Sequence, residues 1–131
     1  MNLEKSYQPQ HIEHEIARLW ETGHAFTPDR PGAPVFSMVI PPPNVTGALH
    51  IGHALTYSIP DFIVRYKRMQ GYATLWVPGT DHAGIATQNV VEKHLAKEGK
   101  TRFDLGRALF EKTTWEWKEV YHERIVAQLR A

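Results

Sequence analysis

The 131-residue sequence predicts an α/β fold built on one βαβ unit of parallel strands, and three observations carry that reading. Two short apolar runs, VFSMVI at 35–40 and ATLWV at 73–77, each end abruptly at proline, as buried strands do. Between them the apolar residues recur at helical spacing. The composition, 42% hydrophobic and 22% charged, is that of an ordinary globular domain and excludes long disorder.

Pro9 stands where a helix can begin, and Ile12, Ile16, Leu19 and Trp20 follow at helical intervals with Gly23 as the stop. The segment 27–34 (TPDRPGAP) reads as a loop. The first strand then runs into Pro41-Pro42-Pro43. After Gly47, the residues Ile51, Ala54, Leu55, Ile59, Phe62, Ile63 and Tyr66 fall on one helical face, the strongest helix signal in the chain. Pro60 lies inside it and predicts a kink or break, since an interior proline costs about 3 kcal/mol. Gly71 closes this helix and the second strand follows, ended by Pro78-Gly79.

A third helix is expected over Ile85–Lys97, stopping at Gly99. A fourth runs from about Phe103 to Arg130, amphipathic through Phe110, Trp117, Tyr121, Ile125 and Leu129. Strand, helix and strand in this order make a right-handed βαβ crossover. Two strands are fewer than a parallel sheet normally carries, so the chain is expected to be the first part of something larger.

Composition narrows the function. The net charge of +1 does not suit a domain whose main task is gripping nucleic-acid backbones. Without cysteine there is no disulfide, thiolate zinc site or cysteine nucleophile. No apolar run approaches a membrane span, and the amino end lacks the apolar core of a signal peptide, so the expected address is cytoplasmic, away from membranes.

Chemistry gathers in two places. His50 and His53, three residues apart, share a face in the first turn of the central helix. Free backbone N–H groups and the positive end of the helix dipole make that turn suited to phosphate, and Gly47 and Gly52 leave room for close approach. The second cluster, Gly79-Thr80-Asp81-His82-Ala83-Gly84, follows the second strand. In a βαβ unit both loops open on one sheet edge, so Asn44, His50, His53, Asp81 and His82 should converge there, where ligands of open α/β sheets bind. A carboxylate suits an ammonium group and the helix start suits a polyphosphate, so ATP with an amino acid is chemically coherent. Two other readings stand beside it. His50, His53, His82 and Asp81 could bind zinc or another divalent metal, although the spacing is not that of the His-Glu-x-x-His hydrolases. Alternatively, Asp81 and Thr80 cap the next helix. Trp115 and Trp117 read as packing or interface residues. Lys112, Lys118, Arg124 and Arg130 read as a solvated face balanced by Glu111, Glu116, Glu119 and Glu123, and His11 and His14 as exposed helix surface.

The stretch Pro41-Pro42-Pro43-Asn44-Val45-Thr46-Gly47-Ala48-Leu49-His50-Ile51-Gly52-His53 resembles the first catalytic motif of the class I aminoacyl-tRNA synthetases and contains their His-Ile-Gly-His tetrapeptide. Trp76-Val77-Pro78-Gly79-Thr80-Asp81-His82-Ala83-Gly84-Ile85-Ala86-Thr87-Gln88 is similar to the valine-specific group, whereas the isoleucine and leucine groups usually carry Gly-Trp-Asp at Gly79-Thr80-Asp81. Lys67-Arg68-Met69 and Trp115-Glu116-Trp117-Lys118 extend the likeness over nearly the whole chain.

The resemblance implies a Rossmann-like catalytic domain that activates valine with ATP, carried with Mg2+, and transfers it to a valine tRNA. Thr46, Gly47, His50, Gly52 and His53 would bind ATP. His50 and His53 would stabilise the phosphates as charge develops on pyrophosphate, and Gly52 would let adenine lie against the backbone. Asp81 would hold the substrate ammonium, and Pro41, Pro42, Pro43, Asn44 and His82 would line the valine pocket. No metal-ligand set is implied. The expected organisation is an amino-terminal helix and loop over 1–34, then the first half of the nucleotide-binding catalytic domain over 35–131. The chain is expected to be truncated before the editing insertion. None of its lysines (5, 67, 93, 97, 100, 112, 118) sits in a Lys-Met-Ser-Lys-Ser loop, so weak or no charging is expected of it alone. A different class of function, a stand-alone ATP-, adenylate- or partner-binding module without turnover, remains as the alternative.

Overall fold

The computed structural model describes residues 6–130; positions 1–5 of the amino-terminal segment, with Lys5, and the final Ala131 lie outside the described residues. The elements run α1 (Pro9–Thr22), β1 (Val35–Val39), α2 (Ile51–Met69), β2 (Ala73–Val77), α3 (Gly84–Lys97) and α4 (Arg102–Arg130). β1 and β2 pair in parallel, with Val35 opposite Ala73 and Val39 opposite Val77, so the expected βαβ unit is present. α2 packs on both strands, and α3 packs on α4. No helix among the described residues is long and apolar enough to cross a membrane.

The helix ends follow local chemistry. Gly71, at φ 90°, ends α2: its N–H donates to the Arg68 carbonyl and the Tyr72 N–H to that of Lys67. This is the paired closure that a left-handed residue after a helix allows. Gly99 ends α3 in the same way, at φ 72°. At α1 the expected stop, Gly23, keeps a negative φ, and the left-handed residue is His24, at φ 50°.

Four further expectations are corrected. The helix does not break at Pro60, because α2 is continuous over Ile51–Met69. Packing of α2 on both strands holds the helix together despite the backbone donor that proline removes. The strands are not buried on both sides. Phe36, Met38, Thr74 and Trp76 share the covered face, whereas Val35 and Val39 are 79% and 72% exposed on the other. The apolar stripe of α2 also points away from the sheet. His53, Tyr57, Pro60 and Val64 turn inward, while Ile51, Leu55, Ile59, Phe62 and Tyr66 are exposed. Finally, α4 is interrupted at Gly106, whose φ of 71° and ψ of 165° suit only glycine.

The core sits between these layers. Val64, Ala73 and Thr74 are buried where α2 meets the sheet, and Val91, Leu95 and Ile125 are buried where α3 meets α4. Phe110, Trp117, Tyr121 and Ile125 turn inward along α4 as expected, whereas Leu129 stays exposed. Lys67 Nζ lies 5.8 Å from the Phe36 ring centre and 4.6 Å from that of Tyr72, close enough for cation–π attraction.

Candidate functional site

Both strands end at one sheet edge, and the backbone carries the pairing past them. The Ile40 N–H donates to the Val77 carbonyl, the Asp81 N–H to the Pro43 carbonyl at 2.9 Å, and the Val45 N–H to the Asp81 carbonyl at 3.2 Å. Asn44 and Asp81 thereby form a parallel bridge beyond the named strands. Pro43 and Val45 are buried beneath it, while Pro41, Pro42, Asn44 and Asp81 are exposed.

His50 is the N-cap of α2, with φ −137° and ψ 178°. Its Nδ1 accepts the Gly52 N–H at 3.1 Å, and its own N–H donates to His53 Nδ1 at 3.2 Å. Two imidazoles thus do what a serine and a glutamate do in the ordinary capping box. Because each Nδ1 accepts, each neutral ring carries its proton on Nε2, and neither Nε2 has a partner among the described residues. The ring centres are 4.1 Å apart, and the first turn of α2 holds no acidic residue. Burial, with a smaller contribution from His50, lowers the pKa of His53 below the ordinary 6.5. With both rings neutral, the pair offers two N–H donors at the positive end of a helix, an arrangement suited to an anion.

Gly52 has a second reason to be glycine here. A Cβ at that position would meet His50 Cε1 at 2.9 Å and Nδ1 at 3.1 Å, so the cap's own ring fills the space above it. Thr46 and Gly47 are half-buried in the turn before α2, and a side chain at Gly47 would meet nothing within 4 Å.

The expected convergence resolves into pairs. His50 meets His53, and Asn44 meets Asp81. His82 instead opens on a cavity of about 510 Å³ between α3 and α4, shared with Val45, Thr87, Arg107, Trp115 and Lys118; neither His50 nor His53 lines it. The expected cap on α3 is not formed. Ala83 is its N-cap, without a side-chain bond, and Thr80 Oγ1 pairs with His122 Nδ1 of α4 at 3.0 Å. Among the described residues no group of three or more histidine, aspartate or glutamate side chains is gathered as a metal would require.

Sequence reasoning missed several residues near the site. Lys118, assigned to a solvated face, has only 16% of its side chain exposed, reaches Glu119 at 2.8 Å and lies 5.7 Å from the Trp115 ring centre. His122 and Gln128 of α4 hold the two loops. No local pattern marks His122 or Gln128, because their partners lie 42 and 79 positions away in the chain, and the burial of Lys118 follows from the cavity that it lines with His82.

The profile of tRNA synthetases class I (I, L, M and V) matches residues 15–131. The chain is 58% identical over 130 residues to the valine–tRNA ligase of Nitratidesulfovibrio vulgaris, covering 98% of this chain and 15% of that protein. It is 55% identical to that of Gloeobacter violaceus over 98% of this chain and 14% of the relative. With the Thermus thermophilus enzyme the identity is 51% over 99% of this chain and 15% of the relative. The chain therefore spans about one seventh of the length of the curated relatives it matches.

Proposed function

This chain belongs to the class I tRNA synthetases of the I, L, M and V group, and from that premise we propose that it supplies the ATP-phosphate site and one wall of the valine pocket of a valine–tRNA ligase. Residues 35–131 form the first half of a Rossmann-like nucleotide-binding domain in this reading, preceded by the segment 1–34. The substrates are valine, ATP as its Mg2+ complex and a valine tRNA, and the place of action is the cytoplasm.

The reciprocal cap of His50 and His53 is the observation that carries the proposal. In activation, a valine carboxylate oxygen bonds to the α-phosphorus of ATP while the bond from that phosphorus to the bridging oxygen breaks, releasing pyrophosphate. His50 and His53 donate from Nε2 to the phosphate oxygens, whose charge grows as pyrophosphate departs. Thr46 and Gly47 form the backbone floor of the nucleotide, while Gly52 acts through the His50 ring, which occupies the space above it. The Asn44–Asp81 bridge sets an exposed carboxylate beside the Pro41–Pro43 loop, where Asp81 receives the valine ammonium and Asn44 and His82 flank the amino acid. The chemistry needs no covalent enzyme intermediate. The residues act by position and electrostatics.

Valine-dependent exchange of labelled pyrophosphate into ATP tests the reading, together with direct ATP binding, isoleucine and threonine as competitors, and His50→Ala and His53→Ala variants. Saturable ATP binding that weakens in both variants is the expected result, with exchange from this chain weak or absent. Equal ATP affinity in wild type and both variants would remove the histidines from the site. Binding that ignores valine and never leads to exchange would favour a nucleotide-binding module without turnover.

A further inference from the structure

One side chain late in the chain grips the peptide immediately ahead of the His50–His53 cap. The Leu49 N–H donates to Gln128 Oε1 at 2.8 Å, and Gln128 Nε2 donates to the Leu49 carbonyl at 3.2 Å. One amide thus satisfies both backbone groups of a single residue, as a neighbouring strand would. The partners are 79 positions apart in the chain. Leu49 precedes the N-cap directly, so its peptide sets where the His50 N–H points, and that N–H holds His53 Nδ1.

We propose that Gln128 is a positioning residue for the His50–His53 pair, holding the motif peptide so that both imidazoles keep Nδ1 turned to the backbone and Nε2 free for phosphate. The proposal rests on the ATP reading above and assigns it a residue that no motif marks. His122 strengthens it: this side chain binds Thr80, next to Asp81, one and two-thirds turns earlier on the same helix, or about 9 Å along its axis. α4 therefore holds both loops of the candidate site at a fixed separation. The His50–His53 bond, at 3.2 Å, lies at the long end of hydrogen-bond geometry, and so gains most from an anchored neighbour.

The test uses this chain, isotopically labelled, with Gln128→Leu, which removes both bonds, and Gln128→Glu, which keeps an acceptor for the Leu49 N–H. Amide exchange at Leu49, ring-nitrogen shifts of His50 and His53, and the dissociation constant for ATP are measured. In Gln128→Leu, Leu49 exchange should rise roughly tenfold while Ile125 and Val91 amides stay protected. The two rings should lose their single tautomer and ATP affinity should fall roughly tenfold, with Gln128→Glu intermediate in every readout. Unchanged ring shifts in Gln128→Leu overturn the proposal, as does faster exchange spread evenly through α4, which would mark a packing role alone. Unchanged ATP affinity despite altered tautomers overturns it too. Should Gln128→Leu unfold, wild-type ring shifts in Gln128→Glu would count against the clamp and mixed tautomers for it. Should the wild-type chain fail to bind ATP, the ATP reading falls, and the exchange and ring-shift readouts still decide the clamp.

Discussion

His50 and His53 cap one another across the first turn of α2, with the His50 N–H on His53 Nδ1 at 3.2 Å and ring centres 4.1 Å apart. That geometry ties protonation to structure. An imidazolium has no free Nδ1 lone pair, so charging either ring opens its half of the cap.

The pH dependence follows in sign. Burial, then His50, lowers the folded-state pKa of His53 below 6.5, so between the two values the unfolded chain binds more protons than the folded one. Stability therefore falls as pH drops from about 6.5 toward the folded pKa, and is intact above that window. NMR titration of His53 beside urea melts at pH 7.5 and 5.5 checks this. A His53 midpoint above 6.5 would contradict it.

Gly52→Ala and Gly84→Ala should behave differently. Alanine normally gains about 0.4–1 kcal/mol over glycine in a helix-compatible conformation. At Gly84 a Cβ meets nothing within 4 Å, so that gain is expected. At Gly52 the new Cβ displaces the His50 ring and loses a cap worth about 1 kcal/mol, which cancels the gain and lowers ATP affinity. Equal stabilisation at both positions in urea melts would count against the ring placement.

Gly106→Ala should destabilise the chain by about 1–3 kcal/mol, because φ 71° with ψ 165° is open to glycine alone. The loss should appear as a lower urea midpoint with an unchanged slope. A neutral result would mean that α4 runs straight through this position.

The exposed stripe on α2 gives a prediction of opposite character. Leu55 and Phe62 are 72% and 71% exposed, so Leu55→Gln with Phe62→Gln should leave stability within about 0.5 kcal/mol. The same pair should reduce self-association in sedimentation runs, since contiguous exposed apolar surface is adhesive. By contrast, Ile125→Ala, at a fully buried site, should cost about 2–5 kcal/mol.

Local rules were enough to read much of this protein from its residues. The strands over 35–39 and 73–77, their parallel pairing and the helix stops at Gly71 and Gly99 follow from period, proline and glycine. The family was legible in the Pro41–His53 and Trp76–Gln88 stretches, because identity is carried by contiguous residues. The inward face of α2 was not. Its helix is apolar on more than one side, and periodicity marks that a stripe exists without saying which stripe meets the sheet.

Tertiary structure alone decided the rest. That Thr80 binds His122 instead of capping α3, that His82 faces a cavity apart from the histidine pair, and that Gln128 holds Leu49 all depend on where α4 lies. Such contacts join residues tens of positions apart, and no local propensity encodes them. The family and the order of strands and helices were legible in neighbouring residues, whereas the continuity of α2 through Pro60 and the interruption of α4 at Gly106 were not. The packing of α4 over the two loops decided which side chains hold the site in shape, since a hydrogen bond across the fold exists only once the fold brings its partners together.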